Sequence, residues 1–156
     1  PSLTALKNFK GLAHRCEKVI THNQIDYIND SKATNVGATV AALEGIAKNK
    51  NIHIILGGDG KGADFSPLIP ALKKYAKSTI VMGKDGGVLK ALINKTIPEM
   101  IVAQANSLAL AVSIAKQQAQ PLDVVLLSPA CASLDMFKNF EQRGEEFARI
   151  ASELLK

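Results

Sequence analysis

The chain has 156 residues, 47% of them hydrophobic and 21% charged, with a formal net charge of +5. A domain of this length buries roughly two-thirds of its unfolded surface, so it needs no disulfide or metal to hold it together, and a single domain over residues 1–156 is expected. Composition excludes a disordered chain, and no apolar run reaches the roughly 20 residues of a membrane span; the absence of long basic runs and an aromatic content of only 4% argue against a nucleic-acid partner.

The start, Pro1-Ser2-Leu3-Thr4, has neither a charged n-region nor an apolar h-region. No signal peptide is read there, and a cytoplasmic location with no membrane partner is expected. There is no initiator Met, so the chain is expected to begin inside a longer protein. A hairpin comes first: Glu17-Lys18-Val19-Ile20 leads through Thr21-His22-Asn23-Gln24 into Ile25-Asp26-Tyr27-Ile28. After the polar stretch 29–35, Val36, Val40, Leu43 and Ala47 recur at helical spacing, with Thr34 or Asn35 as the N-cap.

Strand and helix then alternate. Ile52–Leu56 is a short apolar run closed by Gly57-Gly58, and Ser66-Pro67 reads as an N-cap followed by Pro at the first helical position. Leu68, Leu72 and Tyr75 face the core from that helix. Thr79–Met82 is the next strand, followed by a helix through Val88-Leu89 and Leu92-Ile93. Met100–Ala103 is another strand, and Asn106 is expected to cap a helix carrying Leu108, Val112, Ala115 and Ala119. Asp123–Leu127 is the last buried strand, and the final helix carries Phe147, Ile150, Ala151 and Leu154. Short apolar runs alternating with amphipathic helices predict a parallel sheet covered on both faces. The fold class is therefore α/β, a Rossmann-like, doubly wound and mostly parallel sheet with an N-terminal β-hairpin.

Ligands in such sheets bind beyond the carboxyl ends of the strands, where three polar loops fall: 29–35, 57–66 and 128–140. In the second, Gly57, Gly58, Gly60 and Gly62 surround Lys61, a point charge suited to a carboxylate or phosphate. It is not a P-loop, because Gly62 stands where a Walker A motif needs Ser or Thr for magnesium. A flexible turn with a solvated lysine is the alternative, but four glycines around one lysine are more than a simple turn requires. In the first loop, helix-terminal N–H groups suit an anion, and Asp30 could accept from ribose hydroxyls; capping with surface charge explains the same residues. In the third, small residues leave room for a ligand, and Ser133 is a donor for a carboxylate. Cys131 lacks a neighbouring His to activate it, and the two cysteines, Cys16 and Cys131, form no metal-binding motif. Both are read as reduced, buried thiols.

Taken together, His14-Arg15, Asn29-Asp30-Ser31-Lys32-Ala33-Thr34-Asn35, Gly57-Gly58-Asp59-Gly60-Lys61-Gly62 and Ser128 through Phe140 into Glu141-Gln142-Arg143-Gly144 resemble the Mur ligase family. The resemblance is to its D-glutamate-adding branch and spans nearly the whole chain in the family's order. It implies the third domain of a three-domain ATP-dependent amide ligase. UDP-binding and ATP-binding domains would precede it and are its expected partners, with ATP and Mg2+ held mainly by the central one. The isolated domain is expected to be inactive, and a monomer is expected. The implied substrates are D-glutamate, ATP and UDP-N-acetylmuramoyl-L-alanine.

Carried over position by position, the D-glutamate site falls on Thr34 and Lys61 for one carboxylate and on Ser133, Leu134 and Phe140 for the other, with Lys61 as the catalytic residue. Arg15, Asp30 and Lys32 match positions that face the nucleotide, and no residue of this chain is expected to bind a metal. The alternatives are a domain of another ligase of this superfamily, such as a tripeptide-adding or folylpolyglutamate enzyme, and a non-catalytic nucleotide-binding module.

Overall fold

A computed structural model describes residues 13–154. Strands β1 (Glu17–His22) and β2 (Ile25–Asn29) pair antiparallel as the opening hairpin. Its two-residue turn, Asn23-Gln24, has φ of +54° and +62°. Positive φ at both positions matches the turn to the right-handed twist of the strands. The chain then runs through α1 (Val36–Ile46), β3 (Ile52–Gly57), α2 (Leu68–Tyr75), β4 (Ala76–Met82) and α3 (Gly86–Thr96). It closes with β5 (Ile101–Gln104), α4 (Leu108–Gln118), β6 (Val124–Leu127) and α5 (Phe140–Glu153). The six strands lie in the order β1-β2-β6-β3-β4-β5, and every pairing except β1 with β2 is parallel.

Every residue of β3 and β6 is buried, which is why both strands read as unbroken apolar runs rather than alternating ones. Ile54, Leu56, Val124 and Leu126 pack with Leu43 of α1, Leu72 of α2 and Ile93 of α3. Ile55, Val125 and Leu127 pack in the opposite layer with Val112 of α4 and Phe147 of α5. The doubly wound sheet with its leading hairpin is as the sequence predicts.

Four local expectations are corrected. Ser66 does not cap α2: its N–H and hydroxyl both donate to Asp64 Oδ1, at 2.9 and 2.6 Å, and Pro67 takes the cap position without a side-chain bond. Asn106 lies one residue too early, and Ser107 caps α4 by accepting from the Leu110 N–H. β4 starts at Ala76 rather than Thr79, because Ala76 and Ser78 already pair with β3. Cys131 is buried, but Cys16 is exposed, at a turn with φ of +44° just before edge strand β1.

At the amino-terminal ends of the strands lies a buried polar cluster. His53 Nδ1 is 2.7 Å from Ser78 Oγ, and its Nε2 is 2.9 Å from Asp123 Oδ2. Lys77 and the Gln120 N–H donate to the same carboxylate, at 3.1 and 2.9 Å. Burial alone would raise the Asp123 carboxyl, but these bonds outweigh it and hold the group below the usual carboxylate range. A depressed folded-state pKa contributes stability above the unfolded value of about 3.9, and that stability is lost as pH falls through the folded value. Asp123→Asn is therefore expected to lower the urea midpoint at neutral pH and to flatten its decline below about pH 4. An acid limb as steep as in the parent chain would remove Asp123 from the groups that set it.

Candidate functional site

β3 and β6 are neighbours, yet they lead to helices on opposite faces: β3 to α2 in one layer, β6 to α5 in the other. Their carboxyl ends therefore form the topological switch point, where such sheets bind ligands. Here the two departing loops are bonded together. Asp59 and Ala132 exchange backbone bonds of 2.9 Å in both directions, and the Gly57 N–H donates to the Pro129 carbonyl at 2.9 Å. Gly57 sits at φ +128°, and a Cβ there would lie 1.9 Å from the Met82 carbonyl oxygen, so glycine is required.

The loop after β2 joins the same hub. The Asp30 N–H donates to the Leu127 carbonyl at 2.8 Å, and the Ala130 N–H donates to the Ala33 carbonyl at 3.0 Å. Asn35, of the two candidates, is the N-cap of α1, accepting from the Ala38 N–H at 2.9 Å. The segment 129–132 is thus bonded directly to both other loops.

That hub gathers the candidate carboxylate-binding residues. Thr34 directly follows Ala33, and Ser133 directly follows Ala132. Lys61 stands two residues beyond Asp59, whose Oδ1 accepts the Lys61 N–H at 2.9 Å. Lys61 is exposed, at φ +51°, and forms no ion pair with any described residue. Its loop is braced by Asp85, in the turn between β4 and α3, whose Oδ2 accepts the Gly60 N–H at 2.6 Å. Ser133 is buried, and its carbonyl accepts from the Met136 and Phe137 N–H groups at 3.0 and 2.8 Å. Leu134 is 67% exposed, an apolar side chain presented outward at the rim. Phe140, the first residue of α5, is half-buried, edge-on to the His14 ring at 6.1 Å. Its carbonyl accepts from Ser31 Oγ at 2.7 Å.

Arg15, Asp30 and Lys32 line a separate cleft of about 310 Å3, with Cys16, Ala33 and Ala38 among its other walls. Asp30 is 4% exposed. Its Oδ1 accepts from the Cys16 N–H at 3.1 Å and its Oδ2 from Ser128 Oγ at 2.7 Å, which leaves further lone pairs on both oxygens. Burial raises its carboxyl, and these hydrogen bonds and the Arg15 charge offset that only in part. Burial also pushes the Cys131 thiol up to about 12, so it is no nucleophile at neutral pH. Among the described residues no group of three or more His, Cys, Asp or Glu side chains is placed to hold a metal ion. No helix there is long and apolar enough to cross a membrane.

Sequence reasoning gave no role to Arg143, Ser31, Asn29 or His14. Arg143 is 1% exposed and makes three hydrogen bonds: Nε to Ser31 Oγ at 2.9 Å, Nη2 to the Ser31 carbonyl at 2.8 Å and Nη1 to the Cys131 carbonyl at 3.0 Å. Asn29 accepts the Ser31 N–H at 3.1 Å and lies 3.0 Å from His14 Nδ1. A signal for Arg143 was present: it precedes Phe147, Ile150 and Leu154 by four, seven and eleven residues, on the apolar stripe of α5.

Comparison with known proteins follows the same outline. The model of the family described as "Mur ligase, glutamate ligase domain" matches residues 14–131. The UDP-N-acetylmuramoylalanine–D-glutamate ligases of Escherichia coli (strain K12) and Shigella boydii serotype 4 are each 53% identical over 98% of this chain and 34% of their own length. That of Pectobacterium atrosepticum is 51% identical over the same shares. The chain thus spans about a third of the length of the curated relatives it matches. Among solved structures, the UDP-N-acetylmuramate-alanine ligase of Thermotoga maritima aligns with a TM-score of 0.66 at 16% identity, over 97% of this chain and 33% of that one. The bifunctional folylpolyglutamate synthase/dihydrofolate synthase of Yersinia pestis aligns at 0.60 and 18% identity, over 93% and 32%. At those identities the structures speak to the fold alone.

Proposed function

Because the chain belongs to the Mur ligase family through its glutamate ligase domain, we propose that it is the carboxy-terminal domain of a cytoplasmic, ATP-dependent ligase that joins D-glutamate to UDP-N-acetylmuramoyl-L-alanine. The observation that carries the site assignment is the hub at 129–132, bonded to both other loops that bear candidate side chains. D-Glutamate has two carboxylates at a fixed range of separations, so it needs two anion-binding points on a rigid frame. Lys61 and Thr34 serve one carboxylate, by charge and hydroxyl. Ser133 serves the other, with Leu134 and Phe140 closing the apolar side.

ATP is held mainly by the preceding domain, and the Arg15–Asp30–Lys32 cleft completes its site from this side. The fit is chemical: two cations suit phosphate, and a buried acid with spare lone pairs suits a hydroxyl. Mg2+, when bound, neutralises charge in phosphoryl transfer; its ligands belong to the rest of the ligase. The reaction runs through an acyl phosphate on the alanine carboxylate, which the D-glutamate amine attacks with loss of phosphate. This domain's part is orientation: it brings the amine into place as the domains close, as a monomer.

Titration of the chain with D-glutamate, followed through its backbone amide resonances, is expected to move Thr34, Lys61 and Ser133 and to leave them in place with L-glutamate. Shifts centred instead on the neighbouring groove of Lys84, Gln104, Asn106 and Met136 would overturn the site assignment.

A further inference from the structure

We propose that Arg143 is a positioning residue that sets the spacing between the two carboxylate subsites, and so the length of amino-acid side chain the enzyme accepts. The inference rests on the ligase reading above. Arg143 is fully buried on α5, and its three bonds reach two different loops: Ser31 on the first and Cys131 on the third. Thr34 lies three residues beyond Ser31, and Ser133 two residues beyond Cys131. One rigid, planar group therefore ties together the two segments that present opposite ends of the site. Ser31 Oγ passes the constraint on by donating to the Phe140 carbonyl at 2.7 Å.

The neighbours fit the same role. At Gly144 a Cβ would lie 2.1 Å from His14 Nδ1 and 2.9 Å from Asn29 Nδ2, so the helix seats directly against the first loop. Arg143 has no carboxylate at ion-pair distance among the described residues. All its acceptors are two carbonyls and one hydroxyl, and burial pulls it down to about 10, still protonated at neutral pH. Burying an arginine without a counter-ion is costly, and an apolar side chain would fill the space at less cost. What only the planar fork supplies is a fixed separation between its acceptors. Arg143 reaches the nucleotide cleft only through Ser31, between Asp30 and Lys32, while Asp30 itself has its own bonds from Cys16 and Ser128.

Arg143→Met and Arg143→Lys in the full-length ligase test this. For Arg143→Met, kcat/KM for D-glutamate is expected to fall on the order of 100-fold, as for a misplacement of about 1 Å, with the KM for D-glutamate raised. The KM for ATP is expected to rise less than that for D-glutamate, because Asp30 keeps its own bonds, and the preference for D-glutamate over D-aspartate falls. Arg143→Lys, which keeps the charge without the planar fork, is expected to stay closer to Arg143→Met than to the parent. A lowered melting temperature and kcat with KM and selectivity unchanged would mean a purely structural role and would overturn the proposal. If Arg143→Met does not fold, Ser31→Ala, which removes the Nε acceptor and the link to Phe140, is expected to raise the D-glutamate KM in the same direction; no rise would equally overturn it. In the 156-residue chain itself the Arg143 Nε–H is expected to exchange slowly with solvent, and fast exchange would refute the clamp. A parent enzyme that ligates no D-glutamate would sink the ligase reading, and the inference with it.

Discussion

Lys61→Ala in the full-length ligase raises the KM for D-glutamate about ten- to 150-fold, the worth of one charged hydrogen bond lost to a substrate, about 1.5–3 kcal/mol. The size follows from the absence of any internal partner: Lys61 pairs with no described acidic residue, so its ammonium is available to a ligand. Lys84, by contrast, is already near Asp59, at 3.8 Å, and Lys84→Ala is a control expected to change D-glutamate affinity little. Folding should survive the Lys61 change. The side chain is exposed, and lysine already carries a Cβ at φ of +51°, so alanine adds no new backbone strain and the change stays within about 0.5 kcal/mol. Steady-state kinetics with D-glutamate varied at saturating ATP read the effect. An unchanged KM would remove Lys61 from the site.

Gly57→Ala destabilises the chain by about 3 kcal/mol or more, through backbone strain and a clash that cannot relax cheaply. The obstacle is the Met82 carbonyl on the adjacent strand, 1.9 Å from the new Cβ, and φ is +128°. Moving either group would disturb the pairing of Gly57 with Met82 and the bond from Gly57 to Pro129. The same substitution at Gly45, inside α1 and with nothing within 4 Å of its Cβ, has the opposite sign. There alanine is expected to stabilise by about 0.5–1 kcal/mol. Urea unfolding of both variants reads the contrast, and two changes of the same sign would refute the assignment of Gly57 to a strained switch-point turn.

The parts of the fold that sequence reasoning reached are those where burial leaves a periodic trace. β3 and β6 are covered on both faces and read as continuous apolar runs; α1 and α4 carry an apolar stripe. The hairpin was legible from polar residues between two apolar segments, but β1 runs on through Thr21 and His22, which the sequence places in the turn, so only Asn23-Gln24 turn. What escaped was polar and tertiary. Lys77 and Ser78 hid the start of β4, because the partner that satisfies the buried Ser78 hydroxyl, His53, comes from another strand. Ser66 looked like a cap, and Asp64, two residues earlier, captured it. Arg143 sat on the buried stripe of α5 in plain view, but charge argues against burial until the Ser31 and Cys131 carbonyls are in place. The candidate site itself was named by resemblance, residue by residue. That its three loops are bonded through residues 129–132 depends on long-range backbone contacts, which no local pattern encodes.

The most direct test of the account is a ligation assay with the full-length enzyme, ATP and UDP-N-acetylmuramoyl-L-alanine, offering D-glutamate and L-glutamate separately and following both phosphate release and the mass of the nucleotide-linked product. The account predicts one new amide bond per phosphate released with D-glutamate and none with L-glutamate. Equal use of both enantiomers, or phosphate release with no D-glutamyl product, would contradict it.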